Sequence, residues 1–217
     1  MIGLNLAENT MFLSGGRMMV SVLIVGQPNV GKTSFAINFA NYLGVEKLKL
    51  LVRQPAGFLA IRTYQLEEAY EELVAVEPHK TTKIQSVQLK LPIGKKDKKV
   101  RLIDSCGLVD EIHSKQKIRR AMAQTLDQLF QSQIILHMVD LSQFNYFSQL
   151  KKIDQALYNL FHQQSGYKIL ANKLDLDRQE RNLIKLKNLI DQKLIIAISA
   201  LSQQGFTEVK AFLLENV

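Results

Sequence analysis

Residues 20–34 constrain this chain more than any other stretch. Val20–Val25 reads VSVLIV, a short β-branched run with almost no polar character, as expected of a strand buried on both faces of a parallel sheet. It leads directly into Gly26, Gln27, Pro28, Asn29, Val30, Gly31, Lys32 and Thr33, and helical spacing follows over residues 34–43. A strand, a glycine-bounded turn and a helix, in that order, bring several backbone N–H groups and a helix N-terminus around one point. Such a turn holds an anion, and the G-x-x-x-x-G-K-T pattern makes that anion a nucleotide phosphate. Asn29, Val30, Gly31, Lys32, Thr33 and Ser34 are therefore candidate nucleotide-binding residues. Lys32 is expected to bridge the β- and γ-phosphates and the Thr33 hydroxyl to bind Mg²⁺.

The rest of the chain repeats the strand–helix alternation. Apolar runs at residues 99–103, 133–139, 168–171 and 194–198 are separated by helix-like spacing near 115–130, 144–161, 178–190 and 206–214. Such βαβ units cross over right-handed, giving an α/β fold with a mostly parallel, doubly wound sheet and helices on both faces. Residues 83–91 alternate polar and apolar and lead through Gly94 into 99–103, which predicts one antiparallel edge strand. Residues 45–79 exceed an ordinary connection and read as an insertion carrying its own helix, capped by Thr63 and running through Leu66, Ala69, Tyr70 and Leu73. Residues 1–17 show no period and read as a poorly ordered arm, leaving 18–217 as a single domain.

Composition narrows the setting. Hydrophobic residues at 47% against 22% charged exclude disorder throughout. One cysteine excludes an internal disulfide, and no apolar run approaches membrane-spanning length, so a reduced, cytoplasmic protein is expected. The net charge of +8 favours polyanionic partners. Lys95, Lys96, Lys98, Lys99 and Arg101 cluster at the hairpin, and Lys115, Lys117, Arg119 and Arg120 follow further on. They serve equally as a solvated edge or as one basic face.

The phosphate turn does not choose a base. Asn172, Lys173, Leu174 and Asp175 follow an apolar run, at the end of a strand where open α/β sheets bind ligands. A carboxylate at Asp175 can accept the N1 and N2 hydrogens of guanine, a donor pair that adenine lacks, so the site prefers GTP. Asn172 can hold the loop, and the Lys173 stem can cover the ring. Asp104 and Gly107 follow the strand ending at Ile103, where Asp104 can reach Mg²⁺ and the Gly107 amide the γ-phosphate. Ser199, Ala200 and Leu201 follow the last strand and can meet guanine O6.

With four motifs in this order, the sequence from Val20 onward, insertion apart, resembles the translation-factor-related GTPases, and among them the small bacterial G domains that include Era and the tRNA-modification GTPases. The resemblance implies a P-loop G domain that binds GTP or GDP with Mg²⁺ and hydrolyses GTP. It implies metal ligation by Thr33, Thr82 and Asp104, with Thr82 taken from Thr81-Thr82-Lys83, where the family has arginine third. The family's switch II reads Asp-Thr-Pro-Gly, and Ser105 and Cys106 stand at its middle positions. Cys106 reads as an inert substitution rather than a redox sensor. Leu108 stands where Ras-like enzymes carry the water-orienting glutamine, so intrinsic hydrolysis is expected to be slow. Asn29 matches the asparagine that helps hold K⁺ in potassium-activated relatives. Lys32, Asn29 and Gly107 are thus the catalytic candidates.

These readings predict a molecular switch with a protein or ribonucleoprotein partner, met through the switch regions and the basic face. A nucleotide-dependent dimer stays open. So does a non-catalytic, nucleotide-gated interaction module or a membrane-associated one. His137 lies in a buried run and reads as core; His79, His113 and His162 belong to no motif.

Overall fold

The computed structural model describes residues 13–14, 17–53, 59–74, 84–93, 96–110, 114–145 and 149–217. The expected arm lies mostly outside them; β1 (Leu13–Ser14) and β2 (Arg17–Met18) pair antiparallel just before the main sheet. Thr81, Thr82 and Lys83 also lie outside, as do His79, His113, Lys95 and the hairpin turn at Gly94.

β3 (Val20–Val25) is the centre of an eight-stranded sheet. Its alternate residues feed two layers: Val22 and Ile24 pack with α1 (Lys32–Tyr42) and α6 (Phe206–Asn216), while Leu23 and Val25 face the other side. There they meet α3 (Gln116–Gln131), α4 (Lys152–Phe161) and α5 (Arg181–Leu189) through Leu129, Leu157, Phe161, Leu183 and Leu186. With both faces covered, no position of β3 can tolerate a charge, which explains its almost wholly apolar sequence; the one polar residue, Ser21, donates to Gln133 Oε1 at 2.7 Å.

β3 pairs in parallel with β7 (Lys96–Asp104) and β8 (Ile134–Asp140), and β9 (Tyr167–Asn172) and β10 (Ile195–Ala197) continue in parallel beyond β8. All five parallel strands therefore end on the same side of the sheet. On the other flank, β6 (Gln85–Ile93) runs antiparallel to β7, as the alternation at 83–91 predicts.

The sheet then continues further than one antiparallel edge strand. β4 (Lys47–Arg53) pairs with β6, and β5 (Leu59–Gln65) pairs with β4, both antiparallel. Part of the expected insertion is thus sheet. Leu48, Leu50 and Val52 join the core beneath α1, while Lys47 and Lys49 point to the uncovered face and are exposed. The insertion does carry a helix, α2 (Leu66–Leu73), but Thr63 does not cap it. Thr63 sits in β5 opposite Lys49, and the helix starts at Gln65, whose N–H donates to Glu68 Oε2 at 3.2 Å. The helix expected from residue 144 starts at Lys152, after a 3₁₀ turn at Leu141–Asn145. No helix among the described residues is long and apolar enough to cross a membrane.

Candidate nucleotide-binding site

The C-terminal ends of β3, β7, β9 and β10 deliver the predicted residues that are described to one rim of the sheet. The turn after β3 closes with Gly31 at φ +100°, where a Cβ would lie 2.3 Å from Asn172 Nδ2. Glycine there allows both the left-handed turn and the close approach of the neighbouring loop. Asn29 is also left-handed, at φ +62°. Lys32 is buried, and its ammonium donates to the Gln27 carbonyl at 2.6 Å and the Gly26 carbonyl at 3.2 Å. Burial lowers its pKa to about 8, partly offset by the negative charges of Asp104 and Asp154.

Thr33 and Asp104 come together from different strands: Thr33 Oγ1 donates to Asp104 Oδ2 at 2.7 Å. Asp104 is 5% exposed, and burial raises its pKa to about 6, against the lowering effects of the Thr33 bond and the Lys32 charge. Its other oxygen, Oδ1, is buried with no hydrogen-bond partner among the described residues. A buried, unsatisfied carboxylate oxygen beside a hydroxyl is costly by itself, and it fits a hard divalent cation. The residues present therefore suit Mg²⁺, with Thr33 and Asp104 as ligands. Thr82, the third metal candidate, lies outside the described residues.

The segment after Asp104 lies against the phosphate turn. Ser105 Oγ donates to the Ile24 carbonyl at 2.7 Å, the Leu108 N–H donates to the Gly26 carbonyl at 3.1 Å, and a Cβ on Gly107 would sit 2.5 Å from the Pro28 nitrogen. The Leu108 side chain is buried among Leu23, Val25 and Ile103, so it supplies no group to water. Cys106 is fully buried, and burial pushes its thiol up, away from the reactive thiolate. Asp110 Oδ1 accepts from the Ile153 N–H at 2.7 Å and so caps α4 from this segment.

Asn172 ties the two halves of the rim together. Its Nδ2 donates to the Val30 carbonyl at 2.7 Å, and its Oδ1 accepts from the Ala200 N–H at 2.8 Å. Asn38 of α1 donates to the Ala200 carbonyl at 2.7 Å, fixing the same loop from below. Ser199 is fully buried, and its hydroxyl accepts from the Ser202 N–H at 3.1 Å; Leu201 is exposed. Lys173 is left-handed at φ +67°, and its ammonium pairs with Asp140 Oδ2 at 2.6 Å. Asp175 follows in the next turn with its carboxylate exposed. Asp177, two residues on, is instead buried and caps α5 through the N–H groups of Asn182 and Leu183.

The sequence reading missed a polar network behind the phosphate turn, formed by Gln27, Lys151, Asp154 and His137. The signal available was His137 itself, a polar group in an otherwise apolar strand that must find a buried partner.

The model of the family described as 50S ribosome-binding GTPase matches residues 64–173. The chain belongs to that GTPase family. The match takes in Asp104, Gly107, Asn172 and Lys173. Solved structures agree with an Era-like G domain at the level of fold. A tyrosine-to-alanine variant of Aquifex aeolicus Era bound to GDP·AlF4⁻ has 20% identity and a TM-score of 0.66, covering 92% of this chain and 57% of that one. Era in complex with MgGDPNP and nucleotides 1506–1542 of 16S ribosomal RNA has 19% identity and a TM-score of 0.64, covering 91% and 56%. The cytosolic domain of L. pneumophila FeoB has 16% identity and a TM-score of 0.53, covering 91% and 70%. The chain thus spans a little over half the length of the Era chains it resembles. No curated protein matches it significantly.

Proposed function

We propose that this GTPase-family chain binds Mg²⁺ with GTP or GDP at the rim just described, hydrolyses GTP slowly and switches the segment after Asp104 as it does so. The observation that carries the reading is Asn172, which joins the phosphate turn at Val30 to the Ala200 loop, so the phosphate and purine subsites form one unit. Asn29, Val30, Gly31, Lys32, Thr33 and Ser34 hold the phosphates. Asn172, Lys173, Asp175, Ser199, Ala200 and Leu201 hold the base. Thr33, Thr82 and Asp104 hold Mg²⁺, which when bound neutralises phosphate charge.

Lys32 supplies positive charge to the β- and γ-phosphates, and the Gly107 amide a donor to the γ-phosphate. Leu108, turned into the core, orients no water, so water activation must be supplied otherwise, and a bound cation can add charge stabilisation beside the phosphates. The resemblance to potassium-activated GTPases supports Asn29 as the residue that helps hold a monovalent cation there. GTP turnover is therefore expected to be several-fold faster in KCl than in NaCl at matched ionic strength, read as phosphate release. Equal rates would remove the K⁺ role. GTP binding without turnover in either salt would favour a nucleotide-gated interaction module.

A polyanionic partner is favoured by the uncovered face of the antiparallel strands. Lys47 and Lys49 on β4, Lys90 on β6 and Lys99 on β7 are exposed there with Gln88, Thr63 and Gln65. Lys90 stands directly opposite Lys99, a like-charge pair that weakens a sheet unless an anion lies across it. Among the described residues the face has no aromatic side chain to stack on unpaired bases, which favours a folded, duplex-rich RNA over a single strand. The Era structure in complex with nucleotides 1506–1542 of 16S ribosomal RNA supports an RNA partner in general, not this face. Lys90→Gln with Lys99→Gln is expected to lower the salt slope of binding to such an RNA by about 2, with GTP turnover unchanged. An unchanged slope would move the RNA contact elsewhere.

A further inference from the structure

Behind the phosphate turn runs a line of polar side chains that nucleotide contact does not use. Tyr167 on β9 and His137 on β8 are fully buried, with Tyr167 Oη 2.7 Å from His137 Nδ1. His137 Nε2 lies 3.0 Å from Oδ1 of Asp154, itself buried in the first turn of α4. The second oxygen of Asp154 accepts from Gln27 Nε2, and Lys151 Nζ donates to Gln27 Oε1 at 2.9 Å. Gln27 is the second residue of the phosphate turn, and its carbonyl receives the Lys32 ammonium at 2.6 Å.

The polarity of the line is dictated by its ends. An ammonium only donates, so Gln27 must turn its carbonyl oxygen to Lys151 and its amide N–H to the carboxylate. The carboxylate only accepts, so His137 carries a proton on Nε2, and the Tyr167 hydroxyl closes the line at Nδ1. A buried Asp–His pair is an expensive way to fill a core, and apolar residues of similar volume would do that better. What it provides here is orientation, delivered to the one residue of the turn whose carbonyl sits closest to the Lys32 ammonium.

We propose that Asp154, held from behind by His137 and Tyr167, is a positioning residue for nucleotide binding: it fixes Gln27, and through Gln27 the backbone that aligns Lys32 with the β-phosphate. The proposal rests on the reading of the turn as a phosphate site. Because it acts through Lys32, it affects nucleotides that have a β-phosphate and spares those that lack one.

The test exchanges the two partners. Asp154→Asn sets an amide N–H₂ against that of Gln27, and Gln27→Glu sets two carboxylates together. In the double variant the new amide at position 154 donates to the new carboxylate at position 27, which still accepts from Lys151. The oxygen of that same amide still accepts from His137. Each single variant is expected to weaken GDP about tenfold, leaving GMP affinity unchanged, and the double variant to return GDP affinity to within about twofold of wild type. Gln27→Ala, which keeps the Asp154–His137–Tyr167 side chains in place and removes only their contact with the turn, gives the same GDP loss and serves if Asp154→Asn does not fold. Unchanged GDP affinity in the single variants, equal losses for GMP and GDP, or a double variant no better than either single one would overturn the proposal alone. A wild-type protein that binds GDP no more tightly than GMP would overturn the phosphate reading, and this proposal with it.

Discussion

Asp175→Asn is expected to weaken GDP binding at least about a hundredfold and to strengthen binding of xanthosine diphosphate. Guanine offers two donors on one edge, N1–H and N2–H, and a carboxylate accepts both; each such charge-assisted bond contributes about 1.5–3 kcal/mol. Asparagine offers one acceptor and one donor, which leaves a guanine N–H facing an N–H. Xanthine carries N1–H beside a carbonyl, the complement of that amide. Asp175 is exposed in a short turn, so the substitution should leave the melting temperature close to that of the wild type. Titration with fluorescent guanine and xanthine nucleotides reads the exchange directly. A variant that keeps wild-type GDP affinity would show that the base is read elsewhere.

Asn172→Ala should produce the largest loss of stability among the rim residues. Asn172 is 2% exposed and makes two buried hydrogen bonds, to Val30 and Ala200, that alanine cannot replace. Leaving a buried carbonyl and a buried N–H unsatisfied costs roughly 1–3 kcal/mol each, so about 3–4 kcal/mol in total. In a chain of this size that lowers the melting temperature by about 10 °C. The two halves of the rim also lose their tie, so nucleotide affinity should fall together with stability. Asn172→Asp tests the direction of the bonds: the Ala200 N–H still finds an acceptor, but a buried carboxylate oxygen then faces the Val30 carbonyl, so a loss at least as large as that of Asn172→Ala is expected in thermal denaturation.

The sequence revealed most clearly what periodicity and local turn chemistry control. The phosphate turn could be read because a buried strand, two glycines and a helix are all local, and β3 and β8 because burial on both faces leaves nearly unbroken apolar runs. The extra strands β4 and β5 were harder to see. Lys47-Leu48-Lys49-Leu50 does alternate, but its open face resembles a charged loop, and pairing partners separated by tens of residues leave no local mark. Thr63 has the chemistry of a helix cap, yet pairing with Lys49 drew it into a strand. For the same reason His137 was the only sign of the Gln27–Asp154–His137 line and its partners could not be read: each bond joins residues more than 15 apart, and only the fold brings them together.

In the proposed function, guanine is chosen at Asp175 while main-chain groups around Lys32 grip the phosphates. Equilibrium titration of one nucleotide-free preparation with GDP and with ADP, both with Mg²⁺, measures that choice most directly. A site that reads the base through paired hydrogen bonds should hold GDP at least about a thousandfold more tightly than ADP. Equal affinities would contradict it.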